Sequence, residues 1–178
     1  MSGFDEVVLG GSGDLIIDVG GNESLTIEAE DNLLPLLTSN VTDSTLTLSS
    51  SETIYPTQPI TYTLGAAALA GVSISGTGDV VAPNLSCGTF RAALSGSGTF
   101  DIGGACNALE LSIAGSGDFD GQDLAVATAS VSIDGSGDSI VNATDKLSVT
   151  INGSGNVEYV GDPATVVDIN GSGEVHQR

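Results

Sequence analysis

A short motif of glycine, serine or threonine, and glycine recurs along the chain at a nearly constant spacing. Six clear copies begin at Gly76, Gly96, Gly115, Gly135, Gly153 and Gly171. Their first glycines are 20, 19, 20, 18 and 18 residues apart, and an apolar residue lies two positions before each of them. A period of this length is typical of a solenoid, in which each repeat is one coil that buries its apolar side against neighbouring coils.

Three further copies extend the repeat to the N-terminus: a clear one at Gly11 and degenerate ones at Ala29 and Ser50. In all nine copies, the positions four and two residues before the first residue of the motif are apolar, and the residues between them are mostly small or polar. Alternation with period two indicates a strand with one buried face. Because parallel crossovers are right-handed, we predict an all-β fold, a right-handed single-stranded parallel β-helix of about nine coils of 18–21 residues, one of them longer.

The chain length suits one domain, and we expect a single β-helix domain over residues 1–178. Residues 1–70 are expected to form degenerate coils with a loop insertion near residues 55–70, where Pro56 and Pro59 occur. Residues 71–178 are expected to form the regular coils.

The repeated glycines are expected to form a tight corner in each coil. Glycine tolerates positive φ and close backbone approach, and a Cβ at this corner would meet the next coil. We assign this structural role to Gly11, Gly13, Gly76, Gly78, Gly96, Gly98, Gly115, Gly117, Gly135, Gly137, Gly153, Gly155, Gly171 and Gly173.

A polar residue follows each corner, and Asp118 and Asp138 take this position in neighbouring coils. Their carboxylates are therefore expected about 5 Å apart. The simpler interpretation is that such Asx side chains accept hydrogen bonds from nearby backbone N–H groups. Two like charges this close also favour a bridging cation, so Asp118 and Asp138 are candidate calcium ligands. Apart from this calcium candidate, we expect no cofactor and no metal.

The two cysteines, Cys87 and Cys106, fall in nearly the same column of neighbouring coils. Their Cα atoms are expected about 5 Å apart, which is inside the range that a disulfide spans. A disulfide is favoured if the chain is secreted. The alternative is a pair of buried thiols that pack as small apolar side chains.

The charge balance excludes several classes of function, because 23 acidic residues outnumber three basic ones and the formal net charge is −20. Nucleic-acid binding needs clusters of lysine and arginine. No apolar run is long enough to insert into a membrane. The single histidine, His176, cannot build a catalytic triad or a His/Cys metal cluster. Polysaccharide lyases share the β-helix fold but need a cleft of basic groups, and Arg91 and Lys146 lie too far apart in sequence to imply one. We therefore expect that the protein is not an enzyme.

Several segments resemble the bacterial head GIN domains, a family described as auto-transporter adhesin heads. The likeness covers nearly the whole chain and includes residues 2–8, the segment 24–33 and the Gly-Ser-Gly-Asp coils. It implies a β-helix in an exported bacterial protein of the surface or periplasm, with no catalytic residues to carry over. The chain departs from the family in its unusual acidity.

The leading hypothesis is a non-enzymatic β-helix, secreted or at the bacterial cell surface, that serves adhesion or surface structure. One alternative is a calcium-dependent carbohydrate-binding module. Another is a self-assembling structural subunit, because strand edges at both ends of a solenoid need a cap and neither residues 1–4 nor residues 173–178 provide an evident one. The expected partners are surface glycans or other copies of the chain, with an extracellular, cell-surface or periplasmic location.

Overall fold

The computed structural model describes residues 2–178, so Met1 of the predicted domain lies outside the described residues. The chain forms strands almost throughout, with one short 3₁₀ helix at Leu34–Leu36. The strands are β1 Glu6–Leu9, β2 Asp14–Val19, β3 Ser24–Glu28, β4 Leu37–Thr42, β5 Thr45–Ser50, β6 Thr61–Ala66, β7 Gly71–Ile74, β8 Val80–Leu94, β9 Thr99–Gly115, β10 Asp118–Gly135, β11 Ser139–Gly153, β12 Val157–Val160, β13 Ala164–Gly171 and β14 Val175–Gln177. Over residues 2–178, no helix has the length and hydropathy needed to cross a membrane.

The strands wind into a parallel solenoid, which confirms the predicted fold class. On the side that precedes each glycine corner, the parallel order is β5, β1, β7, β8, β9, β10, β11 and β13. On the side that follows the corner, the parallel order is β6, β2, β8, β9, β10, β11, β12 and β14. The long strands β8 to β11 bend from one side to the next, so each contributes to several sides of the rod.

The N-terminal part departs from the predicted winding in two ways. First, β1 lies between β5 and β7, so the first coil of the sequence sits inside the stack. Second, the segment expected to form a coil around Ala29 is β3, which pairs antiparallel with β6, and β4 pairs antiparallel with β5. The structure therefore has eight parallel coils with an antiparallel cap, where about nine coils were expected. An apolar alternation identifies the buried face of a strand, but not its direction or its neighbour.

The insertion of the longer coil also lies earlier than expected. Residues 51–60 contain no strand, whereas residues 61–66 form β6. Tyr62 and Leu64 lie beside Leu15 and Ile17 of β2 and are 2% and 0% exposed. These two side chains extend the buried column, which is why the insertion ends before them.

The interior of the rod is filled by columns of stacked apolar side chains. Ile133 and Ile151, two positions before their corners, are fully buried one above the other. On the side after the corner, the rings of Phe100 and Phe119 pack against each other at a tilt of 49°, with centroids 6.1 Å apart. The next residue of that column is Ser139, whose buried Oγ has no hydrogen-bond partner.

Candidate binding surfaces

The glycine corners bring the backbones of successive coils into close contact. A Cβ added at Gly135 would overlap the carbonyl oxygen of Gly115, and the Ser136 N–H donates to that oxygen at 2.9 Å. Glycines in the same relation to a glycine of the neighbouring coil are Gly76, Gly78, Gly96, Gly98, Gly115, Gly117, Gly135, Gly137, Gly153, Gly155, Gly171 and Gly173. The first corner differs, because a Cβ at Gly11 would meet open space and one at Gly13 would meet Tyr62 and Ile60.

The polar residues after the corners form a ladder of hydrogen bonds along the rod. Asp118 Oδ1 accepts from the Asp138 N–H at 2.9 Å, and Asp138 Oδ1 accepts from the Asn156 N–H at 2.8 Å and from its side-chain amide at 2.9 Å. Asp79 Oδ1 accepts from the Thr99 N–H at 3.0 Å in the same way. These carboxylates thus bind backbone groups of the next coil. Within residues 2–178, no three His, Cys, Asp or Glu side chains are grouped so that they could hold a metal ion, and calcium binding by Asp118 and Asp138 stays a prediction.

Cys87 of β8 and Cys106 of β9 are register partners, and the structure joins them by a disulfide. Their Cα atoms are 4.6 Å apart and 19 residues of sequence separate them. The bond therefore links two adjacent coils on the third side of the rod. It leaves no free thiol in the described part of the chain.

One side of the regular coils carries many hydroxyl groups and balanced charge. We define the hydroxyl face as the outward residues of β8 to β11 in the segments before the corner, together with Ser95 directly after β8. They are Thr89, Arg91, Ala93, Ser95, Ala108, Glu110, Ser112, Ala114, Thr128, Ser130, Ser132, Asp134, Lys146, Ser148, Thr150 and Asn152. Within β8 to β11, two acidic side chains are thus balanced by two basic ones, and Glu6 of β1 and Asp168 of β13 are the acidic groups on the same side in the outer coils. Glu110 pairs with Arg91 at 2.8 Å, and Asp134 accepts from the Asn152 amide at 2.8 Å.

The hydroxyl face is a flat, regular array. Register places Ser132 beside Ser112 and Ser130 beside Glu110, and neighbouring coils lie about 4.8 Å apart. Shallow grooves cross it, one between Arg91 and Ser130 and a second between Glu110 and Lys146. The small side chains leave the hydroxyls accessible, so this face can exchange many hydrogen bonds with a flat ligand but cannot enclose a small one.

The side that follows the corner has the opposite character. We define the acidic face as the outward residues on this side in β2, β8 to β12 and β14, together with the residues that directly flank these strands. Its ionisable groups are Asp14, Asp18, Asp79, Asp101, Asp118, Asp120, Asp138, Glu158, Glu174, His176 and Arg178. Nine carboxylates therefore face one arginine and one histidine. A polyanion is repelled from this side, whereas a neutral ligand meets no such barrier at the hydroxyl face.

The sequence interpretation did not single out the hydroxyl face. Its signal was present in the outward positions before each corner, which hold serine, threonine or alanine in most regular coils. That signal becomes specific only when these positions are separated from those after the corner, where the acidic residues are concentrated.

Two titratable groups near the cap have shifted pKa values. The hydroxyl and the backbone N–H of Thr57 donate to Glu30 at 2.7 and 2.9 Å and lower the pKa of this exposed carboxyl. This contact ties the insertion, residues 51–60, to the cap. Burial raises the pKa of the Tyr62 hydroxyl above its ordinary value, because the ionised form loses its hydration.

Solved structures with the same architecture include proteins of Bacteroides fragilis and Parabacteroides distasonis. A putative adhesin of Bacteroides fragilis has a TM-score of 0.78 and 22% identity, with 99% of this chain and 93% of that chain covered. A putative lipid binding protein of Parabacteroides distasonis has a TM-score of 0.66 and 21% identity, with coverages of 100% and 94%. At these identities the likeness establishes the fold alone.

The sequence itself identifies the family, which is more specific than the fold. No curated protein matches the sequence. The family model described as "Putative auto-transporter adhesin, head GIN domain" matches residues 3–163, which includes the cap and all but the last coil. The chain therefore belongs to the head GIN domain family.

Proposed function

We propose that this protein is a non-enzymatic adhesion module, secreted or held at the bacterial surface, that binds neutral glycans along its hydroxyl face. The observation that carries the proposal is the segregation of charge. In a chain of net charge −20, the hydroxyl face combines balanced charge with a flat array of small polar side chains. The family's description as an adhesin head supports the same role.

The chemistry of the hydroxyl face fits a neutral polymer of hydroxyl and amide groups. Serine and threonine hydroxyls both donate and accept hydrogen bonds, as sugar hydroxyls do. A polymer that lies along several coils meets the same groups at each step, so weak contacts add up along the rod. Polyanionic glycans are disfavoured, since the nearby acidic face repels them.

The calcium-dependent alternative gains no support from the acidic face. Asp118 and Asp138 each direct a carboxylate oxygen to a backbone N–H of the next coil. We therefore propose binding that does not require calcium. A chelator should leave attachment unchanged.

The proposal is tested by placing carboxylates on the hydroxyl face and measuring attachment to glycan arrays and to host cells. Ser112 and Ser130 are exposed on adjacent coils, and the double variant Ser112→Glu, Ser130→Glu should lose most of its attachment. The matched control is Thr63→Glu, Thr99→Glu, which makes the same change of charge at exposed positions on the other side of the corner. Both variants should keep the wild-type circular dichroism spectrum. Equal attachment by the two double variants, or no attachment by the wild type, would refute the proposal.

A further inference from the structure

The two ends of the rod are finished differently. At one end, β4 lies antiparallel on β5, and the segment before it buries Leu33 to 5% exposure. At the other end, β13 pairs with β11 and β14 pairs with β12, and neither has a second partner among residues 2–178. Each of these two strands therefore presents a free edge of backbone N–H and C=O groups, which is a template for another strand. We name the outer surface of β13 and β14 the open end.

The apolar columns of the core continue to the open end. Val149 and Ile151 of β11 are 1% and 0% exposed, whereas Val167 and Ile169, their register partners in β13, are 44% and 37% exposed. Val166 beside them is 59% exposed. Because Val166 is the register partner of Ser148, it continues the hydroxyl face, whereas Val167 and Ile169 lie on the core side of β13. These two half-exposed apolar side chains leave the core column uncovered, which marks an interaction site.

The open end is also far less acidic than the acidic face. In residues 164–178 the acidic side chains are Asp168 and Glu174, and Arg178 and His176 lie in the same segment. Glu174 lies 3.0 Å from His176. Two molecules that meet end to end therefore avoid contact between their acidic faces, whereas side-by-side contact through those faces brings like charges together.

We propose that a second copy of this chain covers the open end, related by a two-fold axis perpendicular to the rod. This symmetry makes the two β13 strands antiparallel, the arrangement in which β4 covers β5 at the other end. Val167 and Ile169 of both copies then pack across the junction and continue the core. Because the same surface is used on both molecules, the contact is closed and isologous.

The opposite end does not offer a comparable surface for head-to-tail growth. β4 also has one unpaired edge among residues 2–178, but the residue opposite Leu48 is the exposed Ser39, so this apolar column stops there. In the neighbouring column, Val41 opposite Leu46 is already half-buried. Association therefore ends at the dimer. Because the contact involves a single coil of each molecule, we expect a small interface, so the dimer should depend on concentration. Salt should strengthen it by screening the net charge.

Sedimentation velocity on the full chain tests the proposal over a wide range of protein concentration, at low and at high salt. The mass should rise from 17.6 kDa towards twice that value, and it should rise at lower concentrations in high salt. The variant Ile169→Lys should weaken dimerisation at least ~10-fold, the effect of about 1.4 kcal/mol. The matched control Val41→Lys, at a half-buried apolar position of β4, should leave dimerisation unchanged.

Hydrogen exchange on the wild-type chain gives a readout that does not depend on the folding of a variant. Amides of residues 164–171 should gain protection as protein concentration rises, while those of β4 should not. A constant mass of 17.6 kDa would leave the open end to a different partner and overturn the proposal. Growth beyond the dimer, or a dimer that Ile169→Lys leaves intact, would overturn it as well.

Discussion

The corner glycines should carry a large and position-dependent share of the stability. The substitution Gly135→Ala places a Cβ against the carbonyl oxygen of Gly115, a backbone atom that no side-chain rotation can move away. Gly135 also has φ +153°, which is unfavourable for alanine and costs about 1–3 kcal/mol. Separation of the coils would lengthen the hydrogen bond from Ser136 to Gly115, now 2.9 Å and worth about 1 kcal/mol. We expect a loss of roughly 2–4 kcal/mol in the free energy of unfolding.

Thermal unfolding followed by circular dichroism measures this loss. For a chain of this size, 1 kcal/mol corresponds to about 2–4 °C, so the Tm of Gly135→Ala should fall by roughly 10 °C. The control is Gly11→Ala, which changes the same position of the same motif where a Cβ meets no atom within 4 Å. Its Tm should stay near that of the wild type. Equal shifts for the two variants would show that close approach of the coils is not the reason for the glycines.

Three further perturbations test other parts of the core. Ser139→Ala removes a buried hydroxyl without a partner and should raise the free energy of unfolding by about 1 kcal/mol, measured by urea denaturation; a loss of stability would contradict this. The double variant Cys87→Ala, Cys106→Ala opens a link across 19 residues and should lower the Tm by roughly 8 °C, the equivalent of about 3 kcal/mol. A reducing agent should lower the wild-type Tm and leave that of the variant unchanged. The pKa of Tyr62 is raised in the folded state. The contribution of its neutral hydroxyl to the free energy of unfolding is therefore complete below about pH 10 and is lost as the pH rises further. Tyr62→Phe should therefore lose less stability than the wild type between neutral and alkaline pH, and equal losses would contradict a titrating Tyr62.

The regular coils could be predicted from sequence because two independent patterns agree there. The apolar alternation identifies residues such as Val131 and Ile133 as inward, and the glycine period shows where each coil turns. In a parallel stack of nearly equal coils, residues at equal distance from their corners become register partners, as Ile133 and Ile151 do. The column that contains Cys87 and Cys106 follows from the same counting.

The order of the N-terminal strands could not be predicted in this way. Val7 to Leu9, Leu46 to Leu48 and Val72 to Ile74 have the same apolar spacing, so each fits beside either of the others. The structure places the first of these three between the other two. Strand direction is equally undetermined by alternation, because an antiparallel strand buries the same alternate residues as a parallel one. Thus β3 carries the pattern of a coil but belongs to the cap.

The charge segregation explains how one rod can be strongly acidic and still offer a surface for contact. Composition gives the net charge of −20 for the whole chain, but not its distribution over the sides of the rod. Because side chains alternate along each strand, alternate residues of a coil point outward. Stacking of the coils then places equivalent outward residues of successive coils on the same side of the rod. Acidic residues after the corner therefore accumulate on one face, while Ser112, Ser130 and Ser148 accumulate on the other. Repulsion between acidic faces is therefore compatible with the two contacts that we propose, one at the hydroxyl face and one at the open end.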